Sequence, residues 1–200
     1  MAEQDETLVP LLAALHDLVA WLQDAHVPGT VIGGVAASLL GRPRVTRDID
    51  ALVLLDESKW QDFLTKGVAC GFAPRLSDAL TFARQARVLL VRHEASGIDI
   101  DIAFGALPFE EEAVARTVWR DLGGIQVPLP LPEDLLIMKA IAHRPRDMAD
   151  IEAILDAQPK LDLRRVRRWV REFTTALGTP ELLQDLNTLI ARQRKRKKPP

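Results

Sequence analysis

Hydrophobic residues recur along the chain with two different periods. Between residues 6 and 26, leucine and valine side chains return every three or four positions, which predicts an amphipathic helix. Shorter apolar runs of strand length follow at residues 30–34, 48–55, 88–93 and 98–104. Their β-branched and leucine content predicts β-strands, and the short turn at Ser96 and Gly97 predicts that the last two form a hairpin. These elements together predict a mixed sheet accompanied by helices.

The pattern changes near residue 130. A second hairpin is predicted within residues 117–130, and beyond it hydrophobic residues recur only at helical spacing, in four segments. Three of these segments begin at or just after proline, which is favoured in the first turn of a helix. We therefore predict an α+β fold: an α/β-type mixed-sheet core over residues 1–130, a helical region over 131–191 and a basic, disordered tail over 192–200.

Composition narrows the class of protein. Hydrophobic residues make up 48% of the chain and charged residues 27%, which is ordinary for a soluble globular protein. No apolar run approaches the roughly 20 residues that span a bilayer, and the acidic N-terminal sequence is unlike a secretory signal. We therefore expect a cytoplasmic protein with no membrane segment. A single cysteine, Cys70, cannot form an internal disulfide and is expected to pack in the core.

The small net charge of −2 conceals an uneven distribution. Residues 1–159 carry 14 basic and 24 acidic side chains, whereas residues 160–200 carry 12 basic and 4 acidic ones. An acidic body with a basic end suits a protein that holds metal ions in one place and a polyanion in another. A solvated helix face followed by a tail would give the same distribution, so charge alone leaves both interpretations open.

Two pairs of aspartates interrupt the apolar strands. Asp48 and Asp50 lie two positions apart, so on a strand their side chains point to one face, and Asp99 and Asp101 repeat this spacing. Carboxylates gathered on one face repel each other unless a cation relieves the repulsion. If the two strands lie side by side, three or four carboxylates converge, and such a set suits two Mg²⁺ ions that assist phosphoryl chemistry.

A glycine pair precedes these aspartates. Gly33 and Gly34 stand between a predicted strand and a short helix, where backbone N–H groups can approach a phosphate closely and the helix dipole favours negative charge. A glycine pair or an Asp-x-Asp motif alone is weak evidence. Their succession as strand, Gly-Gly, short helix, loop, Asp-x-Asp and a later strand aspartate is much more specific.

The order of these residues resembles a known superfamily. A hydrophobic residue, Gly-Gly, thirteen residues and Asp-hydrophobic-Asp, met here by residues 32–50, resemble the signature of polymerase-β-like nucleotidyltransferases. The segments "TRDIDALV" and "PEDLLIMKAIAHRPRDMADIEAIL" are similar to those of AbiEii-type toxin nucleotidyltransferases and their bacterial relatives. The resemblance covers about residues 30–156.

The resemblance implies roles for the acidic and glycine residues. Asp48 and Asp50 would bind the two Mg²⁺ ions that bridge the triphosphate, and Gly33 and Gly34 would hold its β- and γ-phosphates. Asp101 would be the third carboxylate. It would bind a metal ion and help to position or deprotonate the attacking hydroxyl. Asp99 shares that face, so its contribution stays open.

The resemblance also implies nucleotide-binding residues outside the strands. Lys139 is similar to a lysine that neutralises the triphosphate, although a lysine whose stem covers core surface and whose amine reaches water would look the same. Arg47, just before the first aspartate, is a candidate phosphate contact or a paired surface arginine. Asp147 matches the "RPRDMADI" pattern, and it is equally well placed to cap a helix.

The reaction implied is transfer of an NMP from an NTP to a hydroxyl, and toxin-type members suggest the 3′ end of tRNA as the acceptor and an antitoxin as a partner. A basic stretch with an aromatic residue could bind the RNA, although a solvated face would have the same composition; it comprises Arg164, Arg165, Arg168, Trp169 and Arg171. Three alternatives are a small-molecule nucleotidyltransferase of the aminoglycoside or lincosamide type, a protein-modifying antitoxin-type enzyme, and an inactive module that binds nucleic acid or a partner.

Overall fold

The computed structural model describes residues 2–197 and divides the chain into two compact units. The first unit contains the residues up to Val35 and Val45–Pro130, and the second contains Ala36–Arg44 and the residues from Leu131 onward. The sequence predicts that all of residues 1–130 belong to the mixed-sheet core. In the structure Ala36–Arg44 belong instead to the unit that contains the later helices. None of the described helices is both long and apolar enough to cross a bilayer.

In chain order the elements of the first unit are α1 (Ala2–Asp24), β1 (Gly29–Ile32), the start of α2 (Gly33–Leu40), β2 (Asp48–Val53), a 3₁₀ turn (Glu57–Lys59), α3 (Trp60–Ala69), β3 (Phe72–Pro74), α4 (Ala79–Ala86), β4 (Val88–His93), β5 (Asp99–Phe104), α5 (Pro108–Ala115), β6 (Val118–Leu122) and β7 (Ile125–Leu129).

Five strands of this unit form a mixed sheet with the strand order β1-β2-β5-β4-β3. Strands β2 and β5 are parallel and the other neighbours antiparallel, so the predicted β4–β5 hairpin is confirmed. Strands β6 and β7 form a separate antiparallel hairpin, which confirms the second hairpin predicted from the sequence.

Alternation along β2 and β5 separates a buried face from an open one. Ile49, Ile100 and Ile102 are fully buried on one side of the sheet. Aromatic side chains cover this side; the Trp60 and Phe104 rings stack with their centroids 3.9 Å apart. The aspartates of the same strands therefore point to the opposite face, because successive strand residues alternate between faces.

The second unit is helical. Its elements are the end of α2 and the helices α6 (Pro132–Ala142), α7 (Pro145–Ala157), α8 (Leu163–Leu177) and α9 (Glu181–Lys197). Pro132 and Pro145 occupy first turns, where the missing N–H costs nothing, and the Asp162 side chain caps α8 by accepting from the N–H groups of Arg164 and Arg165.

Two expectations about smaller features change. The tail was predicted to be disordered from residue 192, but α9 continues through Lys197, and residues 198–200 lie outside the described residues. Cys70, expected in the core, is only half-buried where α3 ends. Helix α9 continues because residues 189–197 contain neither proline nor glycine, and their basic side chains lie at a helix C-terminus, where the dipole favours positive charge.

Candidate active site

Four aspartates line one face of the sheet where β2 and β5 run side by side. In the parallel register Asp48 is the partner of Asp99, and Asp50 is the partner of Asp101. Neighbouring strands are about 4.8 Å apart, so each pair brings two carboxylates close together. The condition for a convergence of carboxylates, that these two strands lie side by side, is thus met. We refer to Asp48, Asp50, Asp99 and Asp101 as the acidic face.

The glycine pair lies against this acidic face. Gly33, where α2 begins, has a φ of +64°, and a Cβ built there would be 1.8 Å from Oδ2 of Asp50. Only glycine permits both this backbone conformation and this close approach. Gly34 follows it and is buried. The first turn of α2 and the carboxylate of Asp50 therefore share one small space, although seventeen positions separate Gly33 and Asp50 in sequence.

This contact predicts a large effect of one added methyl group. Gly33→Ala is expected to abolish any activity that depends on Asp50 and to lower the free energy of unfolding by about 2 kcal/mol or more, because it adds backbone strain and displaces Asp50. Activity and urea unfolding measure both effects.

The matched control is Gly97→Ala. Its φ of +71° carries similar backbone strain, but no heavy atom lies within 4 Å of the added carbon. We expect Gly97→Ala to lower the free energy of unfolding by about 1 kcal/mol and to leave the activity unchanged. Equal behaviour of the two variants would show that the approach of Gly33 to Asp50 is unimportant.

Two arginines neutralise part of the acidic face. Arg92 on β4 binds Asp99 through two hydrogen bonds, of 2.6 and 3.2 Å. Arg75, which follows β3 directly, forms ion pairs with both Asp99, at 3.0 Å, and Asp101. Thr46 donates to Oδ1 of Asp48 at 2.9 Å and so fixes the direction of that carboxylate.

The two aspartates of β5 differ in electrostatic environment. Hydrogen bonds from Arg92 and then Arg75 hold the pKa of Asp99 below its ordinary value, despite partial burial. Burial raises the pKa of Asp101; Arg75 opposes this rise, and the charges of Asp48 and Asp99 add to it. Asp99 is therefore already paired with cations, whereas Asp101 still gains from additional positive charge.

The chemistry of the acidic face fits a divalent metal ion. Carboxylate oxygens are hard ligands of the kind that Mg²⁺ prefers, and the Asp101 side chain is 44% exposed. Among the described residues, no group of three or more acidic, histidine or cysteine side chains already has the spacing of a metal site. Asp101 instead contacts the Arg75 guanidinium. The donors are thus suitable, and the cations that contact them among the described residues are Arg75 and Arg92.

A second charged cluster lies in the helical unit. Nζ of Lys139 lies 3.0 Å from Asp147 and 2.9 Å from Asp150. Arg44 donates two hydrogen bonds to Asp150, and Arg144 binds Asp147 at 2.7 Å. Lys139, Asp147 and Asp150 are all buried. We refer to these five residues as the lysine cluster.

The cluster revises two expectations. Lys139 is only 5% exposed, so the interpretation of an amine that reaches water is wrong. Asp147 caps α7 by accepting from the N–H of Arg144 at 3.1 Å, so its capping role is confirmed. Burial raises the pKa of Asp147, but hydrogen bonds from Arg144 and Lys139 outweigh it, and the pKa lies below its ordinary value. Asp147 is therefore ionised and holds Lys139 in place.

The structure also shows where the other arginines lie. Arg47 is exposed and has no ion pair with any described residue, which argues against the paired-arginine interpretation. On α8, Arg165 pairs with the fully buried Asp134 at 2.9 Å, and the Arg168 guanidinium lies 5.3 Å from the centre of the Trp169 ring. Arg164, Arg168 and Arg171 are exposed, so three of the four arginines predicted to form a basic surface can do so.

Arg44 and Arg75 were missed by sequence reasoning. Arg44 was read as part of a loop and is 106 positions from Asp150, and Arg75 is 26 positions from Asp101. Neither residue belongs to a motif. Pairings over such separations depend on tertiary structure, so no local pattern in the sequence indicated them.

The chain matches a known protein family. The family model described as nucleotidyl transferase AbiEii toxin, type IV toxin–antitoxin system, matches residues 18–198. A sequence comparison with curated proteins gave no significant match.

Several solved structures are similar. An antigenic nucleotidyltransferase-like protein from Paracoccidioides brasiliensis is 18% identical, with 91% of each chain covered and a TM-score of 0.50. The lincosamide antibiotic adenylyltransferase LnuA, bound to lincomycin, is 16% identical over 70% of this chain and 94% of its own, with a TM-score of 0.49. The antibiotic-resistance factor ANT(2″)-Ia is 16% identical over 98% and 94%, with a TM-score of 0.49. The predicted α+β nucleotidyltransferase fold is confirmed.

Proposed function

The chain belongs to the AbiEii nucleotidyltransferase toxin family and is a nucleotidyltransferase; we propose that it transfers an NMP from an NTP to the 3′ hydroxyl of an RNA, tRNA in particular. The observation that carries this proposal is the approach of Gly33 to Asp50 beside Asp48 and Asp101, because it brings the glycine turn next to three carboxylates. Bound Mg²⁺ would neutralise the triphosphate and polarise its phosphoryl oxygens.

The acidic face would perform the chemistry. In the proposed reaction the acceptor oxygen forms a bond to the α-phosphorus, the bond from that phosphorus to the bridging oxygen breaks, and pyrophosphate leaves. Asp48 and Asp50 would hold the ions, and Asp101 would hold an ion and receive the proton of the attacking hydroxyl. Asp101 suits that task better than Asp99, because Asp99 already accepts hydrogen bonds from Arg75 and Arg92.

Other residues would bind the triphosphate. The backbone N–H groups of Gly33 and Gly34, in the first turn of α2, would donate to the β- and γ-phosphates. Lys139 has three N–H donors, and two of them bind Asp147 and Asp150, so among the described residues one is left for a phosphate oxygen. Asp147 would act through Lys139, since it is fully buried. Arg47, which is exposed, remains a proposed phosphate contact.

Basic residues of α8 and α9 support RNA as the acceptor. Arg164, Arg168 and Arg171 are exposed on α8, and four more exposed cations follow on α9, at Arg192, Arg194, Lys195 and Arg196. Phosphate contacts of exposed arginines and lysines supply most of the affinity of proteins for nucleic acids. The family's type IV toxin–antitoxin assignment supports a cognate antitoxin as a partner.

The test of the activity is incubation of the full chain with each α-labelled NTP, Mg²⁺ and total RNA. We expect label in RNA of tRNA size, none after addition of EDTA, and none with Asp50→Asn. Lincosamides, aminoglycosides and total protein serve as alternative acceptors in parallel reactions. Label that enters only one of these would contradict the RNA proposal and leave nucleotidyl transfer intact, whereas the absence of transfer to every acceptor would contradict the activity itself.

The basic surface gives a separate prediction. The triple variant with Arg164, Arg168 and Arg171 changed to glutamine is expected to bind tRNA at least tenfold more weakly, with the slope of log affinity against log salt reduced by about 2. Filter binding at several salt concentrations measures both. The matched control changes three exposed cations of the first unit, Lys59, Lys66 and Arg84, to glutamine. An equal loss in both variants would show that only net charge matters.

A further inference from the structure

Arg75 joins the end of β3 to two carboxylates of the acidic face. Its backbone N–H donates to the Leu90 carbonyl at 3.0 Å, which anchors the residue where β3 ends. Its guanidinium is 24% exposed and bridges Asp99 and Asp101. Its buried Nε atom has no hydrogen-bond partner among the described residues. The Arg75 side chain thus binds two carboxylates while its Nε–H group makes no hydrogen bond to any described residue.

Asp99 does not need Arg75 for charge balance. Arg92, its direct partner across β4 and β5, already binds both of its oxygens. The distinctive contact of Arg75 is therefore the one to Asp101, the carboxylate proposed to hold a metal ion. An arginine stays charged at every accessible pH, so this positive charge is permanent.

We propose that Arg75 is a positioning residue that competes with the divalent cation for Asp101. It holds this carboxylate in the metal-free protein and weakens the binding of free ions, and its guanidinium stays on Asp99 when Asp101 turns to an ion. This inference rests on the proposed function, because it takes Asp101 as a metal ligand. Its consequence is that the acidic face binds ions well only when a nucleotide brings further oxygen ligands with them.

The charges of the acidic face explain why removal of Arg75 should strengthen the binding of a divalent cation. Four carboxylates and the two guanidiniums of Arg75 and Arg92 leave a net charge of −2. Removal of Arg75 takes away a positive charge in direct contact with the proposed metal ligand Asp101. Arg92 pairs with no described carboxylate other than Asp99 and is more exposed, at 56%. Because Coulomb repulsion falls with distance and is screened in water, Arg75 should oppose a divalent cation much more than Arg92 does.

The test is titration of the nucleotide-free full chain with Mn²⁺, followed by electron paramagnetic resonance of the free ion. We expect Arg75→Gln to bind Mn²⁺ about tenfold more tightly than the unmodified chain. Arg92→Gln is the matched control and should change the affinity less than twofold. Arg75→Lys keeps the charge but cannot contact both aspartates with a planar guanidinium, so its affinity for Mn²⁺ should lie between those of the unmodified chain and Arg75→Gln. It serves as the test variant if Arg75→Gln does not fold. Thermal melting checks the fold of each variant.

Two results would overturn the inference. One is an affinity of Arg75→Gln for Mn²⁺ equal to or weaker than that of the unmodified chain; the other is an equal gain in Arg92→Gln. If the unmodified chain binds Mn²⁺ together with an NTP in both cases, only the role of Arg75 fails. If neither the unmodified chain nor Arg75→Gln binds Mn²⁺ with an NTP present, the proposed metal site fails as well.

Discussion

Asp50→Asn is expected to lower kcat/KM for nucleotidyl transfer by about 10³ or more while the chain stays folded. Asp50 lies against Gly33 and pairs in register with Asp101, so its carboxylate is central to the proposed ion site. An amide of the same shape keeps the packing but removes the negative charge that binds the ion. Loss of several kcal/mol of charge stabilisation corresponds to about three orders of magnitude in rate. Steady-state kinetics at saturating Mg²⁺ measures the effect.

Asp99→Asn is the matched control for this prediction. It makes the same chemical change on the same face of the sheet, but Asp99 is already bound by Arg75 and Arg92. We expect kcat/KM to fall less than tenfold. Retention of more than a tenth of the activity by Asp50→Asn, or an equal loss in Asp99→Asn, would contradict the assignment of Asp50 as a metal ligand.

Lys139→Met is expected to lower the free energy of unfolding by about 3 kcal/mol, the largest effect on stability that we predict. Methionine fills a similar volume but leaves the buried carboxylates of Asp147 and Asp150 without their shared cation. Removal of one partner from a buried ion pair typically costs about 3–5 kcal/mol, and the lower end applies because Arg44 and Arg144 still contact the two aspartates. Urea unfolding, followed by far-ultraviolet circular dichroism, measures the change.

Arg42→Met provides the control for the same substitution of a cation by methionine. Arg42 pairs with Asp156 at 2.8 Å in the same unit, but its side chain is 71% exposed. Exposed pairs contribute about 0–1 kcal/mol, so a small change is expected. If Lys139→Met costs less than 1 kcal/mol, the carboxylates do not depend on Lys139, and the lysine is then free for a direct role at the triphosphate.

The sequence predicted the parts of the site that follow a local rule. Alternation along β2 and β5 placed each aspartate pair on one face, because strand side chains have a period of two. The spacing from Gly33 to Asp50 carried the family resemblance, and the family match over residues 18–198 agrees with it. That β2 and β5 are neighbours was only a condition in the sequence interpretation, and the parallel register supplies it.

The features that were missed depend on packing between distant segments. Strand β3 has three residues and ends in proline, so it is too short to show a period of two, and the local sequence assigns no position to Arg75. Gly41 directly follows α2, and glycine commonly ends a helix, so the local sequence indicates no further role for it. A Cβ there would lie 3.2 Å from Cβ of Ala153, so this glycine allows close packing of Ala36–Arg44 against α7. This packing explains why that segment belongs to the helical unit.

The parallel pairing of β2 with β5 sets the point in synthesis at which the acidic face can form. Residues 54–98, which include α3, β3, α4 and β4, separate the two strands along the chain, and β5 lies between β2 and β4 in the sheet. Such non-local pairings form late in folding, because a long loop must close first. During translation Asp50 cannot meet Asp101 until Phe104 has left the ribosome and β5 has joined the sheet. Translation products that end earlier would therefore lack the complete acidic face, and the proposed metal site would form only in chains that extend beyond β5.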